Sequence, residues 1–214
     1  RDFVQFISAY AKGIKPGFIV IPQNGHILLT ENGEATGVPA LAYMKAIDGI
    51  GREDLFYGYD GDDAATPVSE RDRMISFMDI AKRKGVKVLA TDYCSSKAFV
   101  DGSYSRNAAR DYISFAADHR ELDNIPLYPP TPFNINSANV TSLAGAKNFL
   151  YLLNSSAYSS LTDYLNAVRN TDYDIIIIDA FYKENILTID DIASLKTKTK
   201  GGNRLIIAYM SIGE

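Results

Sequence analysis

Five stretches of this chain are short, nearly unbroken apolar runs that stop at polar or acidic side chains. Phe18-Ile-Val-Ile-Pro22 leads into Gln23 and Asn24, Val86 to Thr91 into Asp92 and Tyr93, and Phe149 to Leu153 into Asn154. Tyr173 to Ile178, with four consecutive isoleucines, leads into Asp179, and residues 204–210 lead into Ser211-Ile-Gly-Glu214. A strand wetted on one face alternates apolar and polar residues. A strand apolar throughout is buried on both faces, as in a parallel sheet covered by helices. Weaker strands over Gly51 to Phe56 and Ile125 to Tyr128 bring the expected number to seven.

Helical patterns separate these runs. Phe3, Phe6, Ile7 and Tyr10 recur at helical spacing and predict an amphipathic helix over 2–11. Further helices are expected over 39–47, 69–84 (stopped by Gly85), 103–118, 159–169 and 188–198, the last capped by Thr188 with Asp190 and Asp191 in its first turn. Strand–helix alternation places the chain in the α/β class, as one domain over residues 1–214. Two architectures fit, an open doubly wound sheet and a closed barrel. No strand is followed by G-x-G-x-x-G or G-x-x-x-x-G-K-[ST], which removes the usual nucleotide folds, and no cofactor is expected. Gln23, Asn24, Glu53, Asp92, Asn154, Asp179 and Glu214 stand at the carboxyl ends of the expected strands. A barrel gathers all such ends on one rim, whereas an open sheet gathers only those beside its switch point. The expectation is therefore a TIM-type (β/α)8 barrel with an active site on that rim.

Composition narrows the partners. The net charge is −4 and no basic cluster occurs, which argues against nucleic acid. No run is long and apolar enough to span a membrane. Cys94 stands alone, so neither an intrachain disulfide nor a cysteine zinc site is expected. His26 and His119 match no metal spacing and are read as surface residues. Asp60-Gly-Asp-Asp63 lacks the terminal glutamate of a calcium loop, and no metal is expected. Asn139-Val-Thr141 and Asn154-Ser-Ser156 fit the glycosylation sequon, a pattern common by chance. Arg1 is not a start methionine, so the chain is expected to begin after a removed segment, which leaves export open. The chain has 14 Tyr and 10 Phe with no Trp; aromatic faces suit sugars but equally suit half-buried packing.

Five strings resemble glycoside hydrolase family 114, which includes endo-α-1,4-polygalactosaminidases: Ile-Pro-Gln-Asn-Gly (21–25), Ile-Gly-Arg-Glu-Asp-Leu-Phe-Tyr (50–57), Val-Leu-Ala-Thr-Asp-Tyr (88–93), Ile-Ile-Ile-Asp-Ala-Phe (176–181) and Ala-Tyr-Met-Ser-Ile-Gly-Glu (208–214). Their order differs from the family's. Segments over 149–214 resemble barrel strands one to three, and those over 1–128 resemble strands five to eight. The segment resembling strand four is missing. The resemblance thus implies a circularly permuted barrel with about seven of eight strands. It also implies a secreted or cell-surface enzyme cutting an amino-sugar polysaccharide with two carboxyl groups.

One of those carboxyls belongs to the missing strand; the resemblance assigns the other to Glu53. Lying between Ile50-Gly51 and Leu55-Phe56-Tyr57, that side chain is expected to be partly desolvated, as a proton-donating acid requires. A loop glutamate on the surface is the competing interpretation. Asp179 and Asp92 are candidates for substrate binding or for capping. Tyr93, Tyr209, Gln23 and Asn24 are candidate sugar contacts, and Glu214 a candidate partner for a cationic amino sugar. A non-catalytic carbohydrate-binding barrel is the alternative function, and an open α/β domain binding a small polar ligand is a third.

Overall fold

A computed structural model describes residues 1–212. Glu214, one of the candidate sugar contacts, lies outside the described residues. The chain opens with helix α1 (Asp2–Ile14) and a short α2 (Leu41–Ala46), followed by strand β1 (Gly49–Glu53). Next come α3 (Val68–Arg83), β2 (Lys87–Tyr93), α4 (Lys97–Ala108) and β3 (Ile113–Ala117). The second half holds β4 (Phe149–Leu152), α5 (Leu161–Arg169), β5 (Ile175–Asp179), a small hairpin β6 (Phe181–Tyr182) and β7 (Asn185–Ile186), α6 (Ile189–Ser194) and β8 (Leu205–Tyr209).

The strands form two parallel three-stranded sheets, ordered β1-β2-β3 and β4-β5-β8, with the hairpin as a third, antiparallel piece. This mixed α/β arrangement corrects the expected (β/α)8 barrel: among the described residues no closed ring of strands forms. The ladder breaks in physically identifiable places. β3 and β4 adjoin without pairing. Just past β4, the amides of Leu153 and Asn154 donate to the Leu122 carbonyl of the long 118–148 connection (2.9 and 3.1 Å), not to a strand. The Phe18–Pro22 run lies along β1 in a partial ladder: the Val20 and Pro22 carbonyls accept from the Gly49 and Gly51 amides (3.4 and 2.9 Å) and the Asn24 amide donates to the Gly51 carbonyl (2.9 Å), but only the Gln23–Gly51 pair forms a β-bridge. The outer edge of β8 pairs with no strand among the described residues.

Two expected elements also change. The helix expected over 103–118 ends at Ala108, and Asp111 turns the chain with φ 57°. Ile113-Ser-Phe-Ala-Ala then forms the buried strand β3. Residues 125–128 are irregular, since Pro126 removes a ladder donor and Pro129 and Pro130 follow directly.

Two apolar clusters hold the sheets. On one side of β1-β2-β3, Met74, Phe77, Met78 and Ala81 of α3 and Val100 and Tyr104 of α4 pack against Ile50, Val88 and Ala90. The helical spacing of those α3 residues explains why one face is buried while Asp72, Arg73, Lys82 and Arg83 stay wet. On the other side, Leu89, Phe115, Phe149, Leu150, Ile175 and Ile176 join both sheets in one core, with Phe115 and Phe149 ring centroids 5.8 Å apart. Helix α1 does the opposite of what its spacing predicts. Phe3, Phe6, Tyr10 and Ile14 face solvent, and the helix is held by Ser8 and Lys12 donating to the Ala46 carbonyl (2.5 and 3.0 Å). Thr188 caps α6 in a reciprocal capping box with Asp191.

Candidate functional site

Register decides which strand-end residues share a face. In a parallel pair, partner residues point the same way and successive residues alternate. Gly51 pairs with Leu89 and Glu53 with Thr91, while Thr91 pairs with Phe115 and Tyr93 with Ala117. Phe115 meets Phe149, so Glu53, Tyr93 and Tyr151 belong to one face of the sheets. In the second sheet Asp179 pairs with Tyr209, whose ring lies 6.3 Å from that of Tyr151. Glu53, Tyr93, Tyr151, Tyr209 and Asp179 thus line a common face at the carboxyl ends of five strands.

Glu53 is the centre of this group. One carboxylate oxygen accepts from the Tyr93 hydroxyl and the other from the Asn24 side-chain amide. Asn24 Oδ1 in turn accepts from the Glu53 backbone amide (3.1 Å) and from Arg52 Nη1 (3.1 Å). Asn24 and Asp54 both adopt the left-handed conformation (φ 59° and 60°), tolerated best by Asn and Asp among residues with a Cβ. These two turns end the neighbouring segments and leave Glu53 half-buried at the tip of β1. Gln23 lies over Gly51, where any Cβ would overlap its Oε1.

Burial and the adjacent Glu53 charge raise the Tyr93 phenol far above its ordinary range. Burial, with a further contribution from Glu53, likewise raises Tyr151. Both phenols therefore stay protonated donors at any physiological pH.

A second layer supports Tyr93. The Arg120 guanidinium lies 4.4 Å from the Tyr93 ring centroid, and Arg120 pairs with Asp54 (2.7 Å) and Asp62 (3.1 Å). Burial pushes the Asp54 carboxyl up, against the lowering influence of Arg120. Gly58 (φ 120°) makes the layer possible: a Cβ there would overlap Asp54 Oδ1 and stand 3.1 Å from the Tyr93 ring.

Asp92 goes elsewhere. It points to the opposite face of β2, wholly buried, and accepts from the Phe56 and Tyr57 amides (2.7 and 3.2 Å), Ser103 Oγ (2.6 Å) and Asn107 Nδ2 (3.2 Å). Burial raises its pKa and those four donors oppose the rise. It ties α4 and the 56–57 turn to the sheet and touches no part of the Glu53 group. Asp179 is half-buried, with Oδ1 accepting from the Phe181 amide (3.0 Å). His26 is half-buried against Phe77 (ring centroids 5.1 Å), and burial lowers its pKa. Asp54, Arg120 and Tyr151 were not singled out from sequence. Tyr151 alone left a signal, being the inward residue next to the end of its strand.

No protein-family model matches the chain, and no curated protein matches it. Among the described residues no helix is long and apolar enough to cross a membrane, and no three His, Cys, Asp or Glu side chains gather to hold a metal ion.

Proposed function

We propose that the Glu53 face binds a carbohydrate chain and that Glu53 is the proton-transferring carboxyl of a glycoside hydrolase acting on an amino-sugar polysaccharide of the α-1,4-galactosaminan type. The observation that carries the reading is the half-buried Glu53 carboxylate held between Tyr93 and Asn24 beside Tyr151 and Tyr209. Tyr93 and Tyr151 are buried and hold Glu53 from beneath, which leaves the half-buried Tyr209 ring to meet the apolar face of a sugar and the exposed Asn24 amide to meet its hydroxyls. In this reading a proton passes through the Glu53 carboxyl to the departing glycosidic oxygen as its bond to the anomeric carbon breaks, water adds to that carbon, and the proton released by the water restores the carboxyl. Asp179, half-exposed on the same face, attracts the sugar ammonium. The strings that resemble glycoside hydrolase family 114 support the choice of sugar and a secreted or cell-surface location, although the barrel of that family is not formed here.

The test is release of reducing ends from α-1,4-galactosaminan by the purified chain and by Glu53→Gln. Turnover by the parent and its loss in the variant, with polymer binding kept, supports the proposal. Equal release by both sinks it. The second reading, a carbohydrate-binding domain without turnover, is favoured by the state of the other carboxylates. Asp54 is paired with Arg120, and Asp92 is sealed behind the sheet. Polymer binding without release by the parent chain selects that reading.

A further inference from the structure

Asp179 does not end the polar face; the chain beyond it folds into a built platform. β6 and β7 pair as Phe181 with Ile186 and Tyr182 with Asn185. Tyr182 turns inward: its hydroxyl donates to the Tyr158 carbonyl (3.1 Å) and its ring lies 5.7 Å from Tyr164 of α5. Lys183 closes the turn in the left-handed conformation (φ 53°), with Nζ 5.2 Å from the Tyr182 ring centroid. The ribbon is thus pinned to α5 by one face. Its other face carries Phe181 and Ile186 side by side in solvent, 47% and 68% exposed. The Phe181 amide donates to Asp179 Oδ1, which fixes the start of the ribbon against the carboxylate. Asp179 Oδ2 has no partner among the described residues.

We propose that Phe181, Ile186 and Asp179 form a second sugar subsite, reached along the face from Glu53 through Tyr209, so that this face holds a chain of several residues. The proposal rests on the carbohydrate reading above. An amino sugar offers the chemistry that matches both parts. Its C–H face stacks on the Phe181 ring while its ammonium meets the free Asp179 oxygen. A neutral apolar partner would leave that carboxylate oxygen unpaired at the contact, and a plain anion would be repelled by it.

The experiment is calorimetric binding of α-1,4-linked galactosamine oligomers, a disaccharide and a hexasaccharide, to Glu53→Gln and to Glu53→Gln with Phe181→Ala, Phe181→Tyr or Asp179→Asn. The subsite predicts that Phe181→Ala weakens the hexasaccharide about tenfold and leaves the disaccharide within about twofold, with Phe181→Tyr restoring the longer ligand. Asp179→Asn weakens the hexasaccharide, and raising the salt concentration narrows its gap from the parent. Phe181 is exposed, so an unchanged melting temperature is expected throughout. Both oligomers binding equally well to the parent and to Phe181→Ala overturns the subsite while the carbohydrate reading stands. If neither oligomer binds Glu53→Gln, the subsite and the carbohydrate reading both fall.

Discussion

Two carboxylate clusters sit at opposite ends of the strands. Just before β5, Asp174 and Lys198 form an ion pair (2.7 Å) with both side chains fully buried. Lys198 also donates to the Asn136 and Ala138 carbonyls (2.5 and 2.9 Å), and Asp174 accepts from the Lys147 amide and from Asn136 Nδ2 (2.9 and 3.2 Å). At the far end of β1, Glu53 has partners on both oxygens yet stays half-buried, among tyrosines and beside open solvent. The first arrangement uses every polar valence internally and closes the 136–138 loop onto the sheet. The second holds a carboxylate in position while leaving it approachable. Saturation and burial together mark a structural acid; fixed orientation with residual access marks one that can meet a ligand. Asp92 belongs with Asp174 on this criterion, although its place at the end of β2 pointed to the ligand face.

The contrast is broken most severely at the buried pair. Lys198→Met leaves Asp174 charged and uncompensated, and unfolding in urea is expected to show a loss of about 3–5 kcal/mol. Adding Asp174→Leu should recover part of that loss, since two apolar side chains need no charge partner. Asp92→Ala strands two backbone amides, Ser103 and Asn107, and is expected to cost about 2–4 kcal/mol in the same assay. Glu53→Gln should cost less than about 1 kcal/mol, because the amide oxygen still accepts from the buried Tyr93 hydroxyl and the exposed Asn24 can turn to water. A loss as large as that of Asp92→Ala would place Glu53 with the structural acids.

The smallest effect is expected at His119, whose Nε2 lies 2.6 Å from Asp123 and Nδ1 2.8 Å from Asp118. The Asp123 contact raises the His119 pKa, and His119 holds Asp123 below the usual carboxylate range. The histidine contribution is full below its unfolded value of about 6.5 and fades as pH rises through the raised folded value. The Asp123 contribution is full above about 3.9 and fades as pH falls through the lowered folded value. The melting temperature of the parent minus that of His119→Gln should therefore peak between about pH 4 and 6.5. A difference that grows above that range would contradict the pairing.

Much of the secondary structure was legible. Continuous apolar runs located β2, β4, β5 and β8 within a residue or two, because burial on both faces leaves a composition signal independent of partners. Thr188 and the acids after it marked the start of α6 for the local reason that a cap needs only its own first turn. What failed depended on pairing. Ile113 to Ala117 reads as helix when Ala-rich neighbours flank it, and only its place between β2 and β4 makes it a strand. Closure of the ladder is likewise a property of edges meeting, which no single run encodes. At the site, Glu53 and Tyr93 were visible as strand ends. Arg120 was not, since it follows a strand that itself went unread and reaches Tyr93 across the fold.

Asp92 and Tyr93 are adjacent in β2 and serve opposite sides of it, one anchoring α4 and the other steadying Glu53. An insertion or deletion of one residue upstream in that strand would exchange their sides, pressing a phenol against Ser103 and turning a second carboxylate toward Glu53. Drift in the length of β2 therefore damages scaffold and ligand face in one event, so its length is constrained twice over. The loops before and after it, which carry no such double duty, are where length variation among descendants of this sequence should collect.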